Sequence, residues 1–299
     1  MQTSGLILCL RFSIRGGASQ TEWSHCHARS YNRPSAEKRS FVSRMKTDHD
    51  SFAPTVSRGD SVATPDENAA FTARVRKEFE AFVSHPSFPC LGAKAAFNAG
   101  SYVLSVFGEL GSAPSANELS AALTDFVHSD LFRGSEYATF VAVFRRPLTL
   151  SEVGFERLLW LQLQRLHALD EKRFAWDASV ASDPADPRFS FSFAGRALYV
   201  VGMHQGSSRL ARRFPWPALI FNPHAQFEKL RDGGKWTRMQ QTIRSRDVAL
   251  QGTANPMLSD FGEASEARQY SGRAVEKDWQ PPFVAAPPAK GAGRCPFGH

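Results

Sequence analysis

Three short stretches bring glycines, cations and potential metal ligands together in a way that core packing alone does not require. In the first, FPCLGAK at residues 88–94, Cys90 stands in a turn that leads into an apolar run of helical character. Free backbone N–H groups and the helix dipole at such a corner favour a thiolate. The plain alternative is a small buried thiol that packs like alanine. In the second, GMHQGSSRLARR at residues 202–213, a strand is expected to end at Met203 and the chain to turn through Gly206 into a short helix. That corner offers His204, the hydroxyls of Ser207 and Ser208 and unpaired N–H groups, with Arg209, Arg212 and Arg213 just behind. It suits a carboxylate. In the third, NPHAQFE at residues 222–228, His224 follows another strand, the same kind of position as His204. The two imidazoles could face one pocket, one as a metal ligand and one as a distal group, although a lone histidine is more often simply packed. The stretches RSRD at 244–247 and NPMLSDFG at 255–262 continue the pattern, and for the former the alternative is a solvated helix face. No P-loop, dinucleotide fingerprint, HExxH or GxSxG motif occurs.

These stretches need elements to position them. Thr64-Pro65-Asp66-Glu67 predicts a helix start near Asp66. Phe71, Val75, Phe79 and Phe82 then recur at helical spacing, and His85-Pro86 ends the run. A second apolar helix is expected at 95–107, a third at 115–129, and a long one at 151–169 with Ser151 as its cap. Residues 137–144 form a continuous apolar run, as in a buried strand. Phe189, Phe191 and Phe193 alternate with Ser190 and Ser192, and 197–203 reads as a strand, so a hairpin about Ala194-Gly195 is expected. Residues 183–187 read as a loop, 207–214 as a short helix, 218–221 as a strand and 235–250 as a helix. Helices and strands mix without a regular βαβ alternation. The expected fold is α+β: a single mixed domain over residues 66–283, with a small central sheet surrounded by helices and disordered segments at 1–65 and 284–299.

Apolar residues make up 42% of the chain, and its 24 phenylalanines suit either a thick core or the walls of a flat apolar pocket. The formal charge of +7 is not a nucleic-acid signature, because residues 1–45 carry seven basic and two acidic residues and so +5 of it. The remainder holds 29 basic and 27 acidic residues, too balanced for a dense basic patch. Cys9, Cys26, Cys90 and Cys295 form no CxxC pair and no disulfide framework, which argues against a zinc finger and suits a reducing cytoplasm. No run approaches the roughly 18 apolar residues of a membrane span. Residues 1–44, rich in Ser and Arg and poor in acids, read as a transit-like leader or as a stretch upstream of a true start at Met45, the second being preferred.

Taken in order, FPCLGAK, GMHQGSSRLARRF, ALIFNPHAQFEKLR at 218–231, IRSRD at 243–247 and NPMLSDFGEASEARQYSGR at 255–273 resemble the signature of the YqcI/YcgG family over roughly residues 66–283. Two departures stand out. Gln205 follows His204 where the family usually has Pro, and Trp279-Gln280-Pro281-Pro282-Phe283 lacks a Cys that instead appears later in Cys295-Pro296-Phe297. The resemblance is to heme-dependent N-oxygenases, of the pre-guanitoxin N-hydroxylase type. It implies heme b, O2, an electron-donating reductase of ferredoxin or flavin type, a small guanidine or amine substrate in secondary metabolism, and a homodimer as a possible assembly. Under that reading His204 is the first choice of iron ligand, with Cys90 and His224 as rivals. Lys94, Arg209 and Arg212, helped by Ser207 and Ser208, would contact the propionates. Asp247 and Glu228 would pair with a cationic substrate, and His224 would act as a catalytic distal group. Two other classes stay open: a heme carrier or sensor without turnover, and a heme-free hydrolase or transferase using Cys90 with His204 or His224.

Overall fold

The computed structural model describes residues 64–285, so the expected leader and tail lie almost wholly outside the described residues. Helix α1 (Pro65–Ser84) starts on a full capping box: Thr64 Oγ1 accepts from Glu67 N, and the Glu67 carboxylate accepts from Thr64 N at 2.7 Å. Its apolar stripe is buried at Val75, Phe79, Phe82 and Val83. Helix α2 (Leu91–Asn98) is short, and Gly100, at φ +62°, turns the chain into strand β1 (Tyr102–Glu109). The helix expected at 95–107 is thus corrected to the end of a helix, a turn and a strand. The physical reason is local, since Tyr102-Val103-Leu104-Ser105-Val106-Phe107 is β-branched and aromatic and follows a glycine turn.

Helix α3 (Ala113–His128), capped by Ser112, and the short α4 (Asp130–Gly134) return the chain to β2 (Thr139–Arg146). Helix α5 (Glu152–Asp170) starts on Ser151, whose Oγ accepts from Gly154 N at 3.1 Å. The expected hairpin is present as β3 (Phe191–Phe193) and β4 (Arg196–Met203), with Ala194 and Gly195 at positive φ in the turn. Between residues 207 and 214 only the 3-10 turn Leu210–Arg212 forms, where a short helix was expected. Strand β5 (Ala218–Pro223) runs directly into α6 (His224–Asp232), an unexpected helix, followed by α7 (Trp236–Gln251) and α8 (Ala267–Tyr270).

The five strands form one mixed sheet in the order β1-β2-β5-β4-β3, parallel between β1 and β2 and antiparallel elsewhere. This is the expected α+β arrangement of a central sheet among helices. Successive side chains of a strand point to opposite faces, so each strand serves two cores. Phe140, Phe144, Leu198, Val200 and Phe221 face α3 and α5, where Phe155, Leu159, Leu163 and Leu166 are fully buried. Each such side chain contributes roughly 1.5–3 kcal/mol. Val141, Val143, Met203, Ala218 and Ile220 face the other way, toward α1. The site lies on this second face.

Candidate functional site

A cavity of about 310 Å³ opens between the second face of the sheet and α1, α2, α6 and α7, within the range of cofactor and small-molecule sites. Val141, Tyr199, Val201, Met203 and Ile220 form its floor, and Phe88, Phe97, Phe227 and Phe261 line its sides. The wall is mainly apolar. Five of the sequence-predicted site residues lie on it: Cys90, Arg209, Arg212, His224 and Asp247.

Cys90 is the N-cap of α2, and its Sγ accepts from Ala93 N at 3.4 Å. The expected thiolate is not what this setting favours. Burial pushes the thiol up, and the Ala93 and Gly92 N–H groups and the Arg212 charge only partly oppose it. His224 opens α6 and is buried, with its ring edge-on to Phe261 at 4.5 Å and Nδ1 4.0 Å from Glu228 Oε1. Burial lowers its pKa, which keeps the imidazole neutral and able to bind a metal.

The cations are mostly committed. Arg209 pairs with Asp247 and donates to Thr253 O at 3.0 Å, while Asp247 also accepts from Asn255 N at 3.2 Å. This buried pair joins the 3-10 turn to α7 and the loop after it. Arg212 donates from Nη1 to Gly202 O at 3.2 Å and Tyr270 O at 3.1 Å. Its charge lies near Tyr199, whose hydroxyl burial pushes up to about 12 and which donates to Gln269 Oε1 at 2.9 Å. Arg244, from α7, also lines the cavity and has no hydrogen-bond or ion-pair partner among the described residues.

The other predicted residues are elsewhere. His204 continues the alternation of Leu198, Val200 and Gly202 and lies on the α5 side, 1% exposed, its ring stacked on Phe155 at 4.3 Å and 17°. Neither ring nitrogen has a hydrogen-bond partner among the described residues, and burial lowers its pKa to about 4. Lys94 Nζ donates to His85 O at 2.7 Å and so ties down the end of α1. Ser207 is buried, its Oγ accepting from Arg209 N at 3.2 Å, and Ser208 binds Glu152 Oε1 through N and Oγ at 2.9 and 2.8 Å. Glu228 is exposed and pairs with Arg231 at 3.3 Å.

Among the cavity residues not singled out from sequence are Tyr199, Gln226, Arg244 and Glu266. Tyr199 was accessible to strand alternation, since it shares a face with Val201 and Met203. Glu266 stood inside a recognised motif, but nothing in the motif marks one acid of DFGEASEA as buried.

The sequence model of the YqcI/YcgG family matches residues 79–284. The uncharacterized protein YcgG of Bacillus subtilis (strain 168) is 28% identical over 222 residues, which cover 71% of this chain and 81% of YcgG. The uncharacterized protein YqcI of the same organism is 28% identical over 192 residues, 61% of this chain and 74% of YqcI. No solved structure matches the chain. The cavity is built almost wholly within the matched residues, and the chain belongs to the YqcI/YcgG family.

Proposed function

We propose that the cavity holds heme b and that the chain is a heme-dependent N-hydroxylase of a small guanidine- or amine-containing metabolite, working with O2 and an external electron-donating reductase. The observation that carries this reading is one wall: a largely apolar, aromatic-sided space of cofactor size, with the Cys90 thiol, the His224 imidazole and Arg244, without a partner among the described residues, on its lining. The donor set suits a porphyrin. The ring brings four nitrogen ligands of its own, so one side chain completes the attachment. Among the described residues no three His, Cys, Asp or Glu gather at one point, and this reading needs none.

Cys90 is the preferred ligand. Were it to hold the iron as a thiolate, the Ala93 and Gly92 N–H groups and the Arg212 charge would stabilise that form. Thiolate donation favours O–O cleavage, the chemistry that bound heme would supply. His224, neutral and with Nδ1 toward Glu228, is the rival. Arg244 suits a propionate. The remaining walls would exclude water and hold the substrate nitrogen in place.

The test is an absorption spectrum of the purified protein, with hemin added, oxidised and then reduced under CO. A Soret band at the long-wavelength position of a thiolate complex, lost in Cys90→Ala and kept in His224→Ala and His204→Ala, is expected. No Soret band at all sinks the heme reading. Loss in His224→Ala or His204→Ala alone moves the ligand to that residue. Consumption of a guanidine or amine that requires NADPH, reductase and O2 separates an enzyme from a heme carrier.

A further inference from the structure

Two acids were expected to receive a cationic substrate, and neither is available: Asp247 is paired with Arg209, and the exposed Glu228, which is not on the lining, is paired with Arg231, which is. Two other carboxyls line the cavity: Asp260, which accepts from Gln240 Nε2, and the more deeply buried Glu266. Glu266 is 5% exposed, lines the cavity, and has no ion-pair partner among the described residues. By contrast the other deeply buried glutamate, Glu156, is paired with Arg273 at 3.0 Å. Glu266 is held by one strong contact, since Tyr270 Oη donates to its Oε1 at 2.6 Å. Tyr270 is itself fully buried, and its Oη accepts from Phe191 N at 3.0 Å, so its one proton is directed at Glu266. The carboxyl is thereby oriented, with the Ser190 side chain and the Arg231 charge as its other polar neighbours.

A second observation points the same way. Gln226 also lines the cavity, is 9% exposed, and its buried Oε1 has no partner among the described residues. Buried acceptors are normally satisfied, and one left without a donor costs about 1–3 kcal/mol. Two buried acceptors on the lining of one cavity suit a ligand rich in N–H groups. Burial raises the Glu266 carboxyl to about 8, so an arriving cation would bring it back to the ionised form.

We infer that Glu266, oriented by Tyr270, is the residue through which the cavity selects a cationic, N–H-rich ligand, with Gln226 as the second acceptor. This rests on the proposed reading of the cavity as a substrate site but not on the heme. Calorimetric titration of the full chain with arginine, agmatine and putrescine, each against uncharged citrulline, tests it. The wild type is expected to bind at least one of the cations about tenfold or more tightly than citrulline, and Glu266→Gln to lose that preference. Tyr270→Phe should lose part of it. The absence of any cation preference in the wild type, or its survival in Glu266→Gln, overturns the inference. A purely structural role is separated by thermal unfolding at pH 9, above the value of about 8 to which burial raises Glu266 and with no cationic ligand added. There Glu266→Gln should be at least as stable as the wild type, and a marked loss of stability would make Glu266 a structural residue and sink the proposal. The titration needs no heme, so a missing Soret band defeats the proposed function without touching this result.

Discussion

His204 shows how a residue with the right chemistry can be directed elsewhere by its neighbours. It ends a strand in a glycine-rich turn, as a ligand would, yet it stacks on Phe155 with both nitrogens unsatisfied among the described residues. Its pKa of about 4 means that the folded protein resists the proton that the unfolded chain accepts near 6.5. The group's contribution is therefore present above about pH 6.5 and lost as pH falls toward 4, in total about 3 kcal/mol. His204→Phe keeps a ring against Phe155 and removes the titration. Its urea stability at pH 7 should stay within about 1 kcal/mol of wild type, and its loss of stability between pH 6.5 and 4 should be smaller. An unchanged acid limb would show that His204 is not the group responsible. At this scale the sequence exposed the right residue types, and five of the ten predicted site residues do meet at the cavity. It did not expose Glu266, whose role comes from burial and from a tyrosine four residues on whose own partner, Phe191, is 79 residues away.

At the scale of elements, the contact between β4 and α5 fixes the sheet from the face opposite the site. A Cβ on Gly202 would come within 2.6 Å of Phe155 and 2.8 Å of Leu159 and of Tyr270 O. Two of these belong to a fully buried helix face, so no flexible tip can yield. Gly202→Ala should cost roughly 1–3 kcal/mol or more in denaturant unfolding and loosen the Arg212 contacts to Gly202 O and Tyr270 O. Ser151→Ala removes only a cap from α5 and should cost about 1 kcal/mol. If the two variants proved equally mild, β4 and α5 would not be packed as tightly as the glycine implies. Long helices, caps and the β3–β4 hairpin were legible because their signals are local. Strand β1 was not, because a short apolar run suits strand or helix alike until β2 pairs with it.

At the scale of the whole molecule, one buried carboxylate ties the C-terminal segment to the helical layer. Glu156 accepts from Arg273 Nη2 at 3.0 Å, Ser271 Oγ at 2.9 Å and Trp279 Nε1 at 3.1 Å. Phe283 then packs on Trp160 and Phe189, completing the core on that side. Glu156→Ala leaves a half-buried guanidinium without its main partner and should cost about 3–5 kcal/mol. Hydrogen exchange over residues 271–283 should rise well before global unfolding. Unaltered protection there would mean that the Phe283 contacts suffice without Glu156. Because α8, with Gln269 and Tyr270, begins this segment, its attachment also holds Glu266 in position.

By itself the amino-acid sequence determined the α+β character, most element boundaries, the family and the stretches from which the cavity is made. These follow from caps, turn residues, hydrophobic period and motif order, which act over a few residues at a time. Only the tertiary structure decided which of those residues share a cavity. A strand sends alternate side chains to opposite faces, so His204 and Met203, adjacent in the chain, belong to different sides of the sheet. Pairing is decided in the same way: Asp247 meets Arg209 across 38 residues, while Glu266, also on the cavity lining, has no ion-pair partner among the described residues.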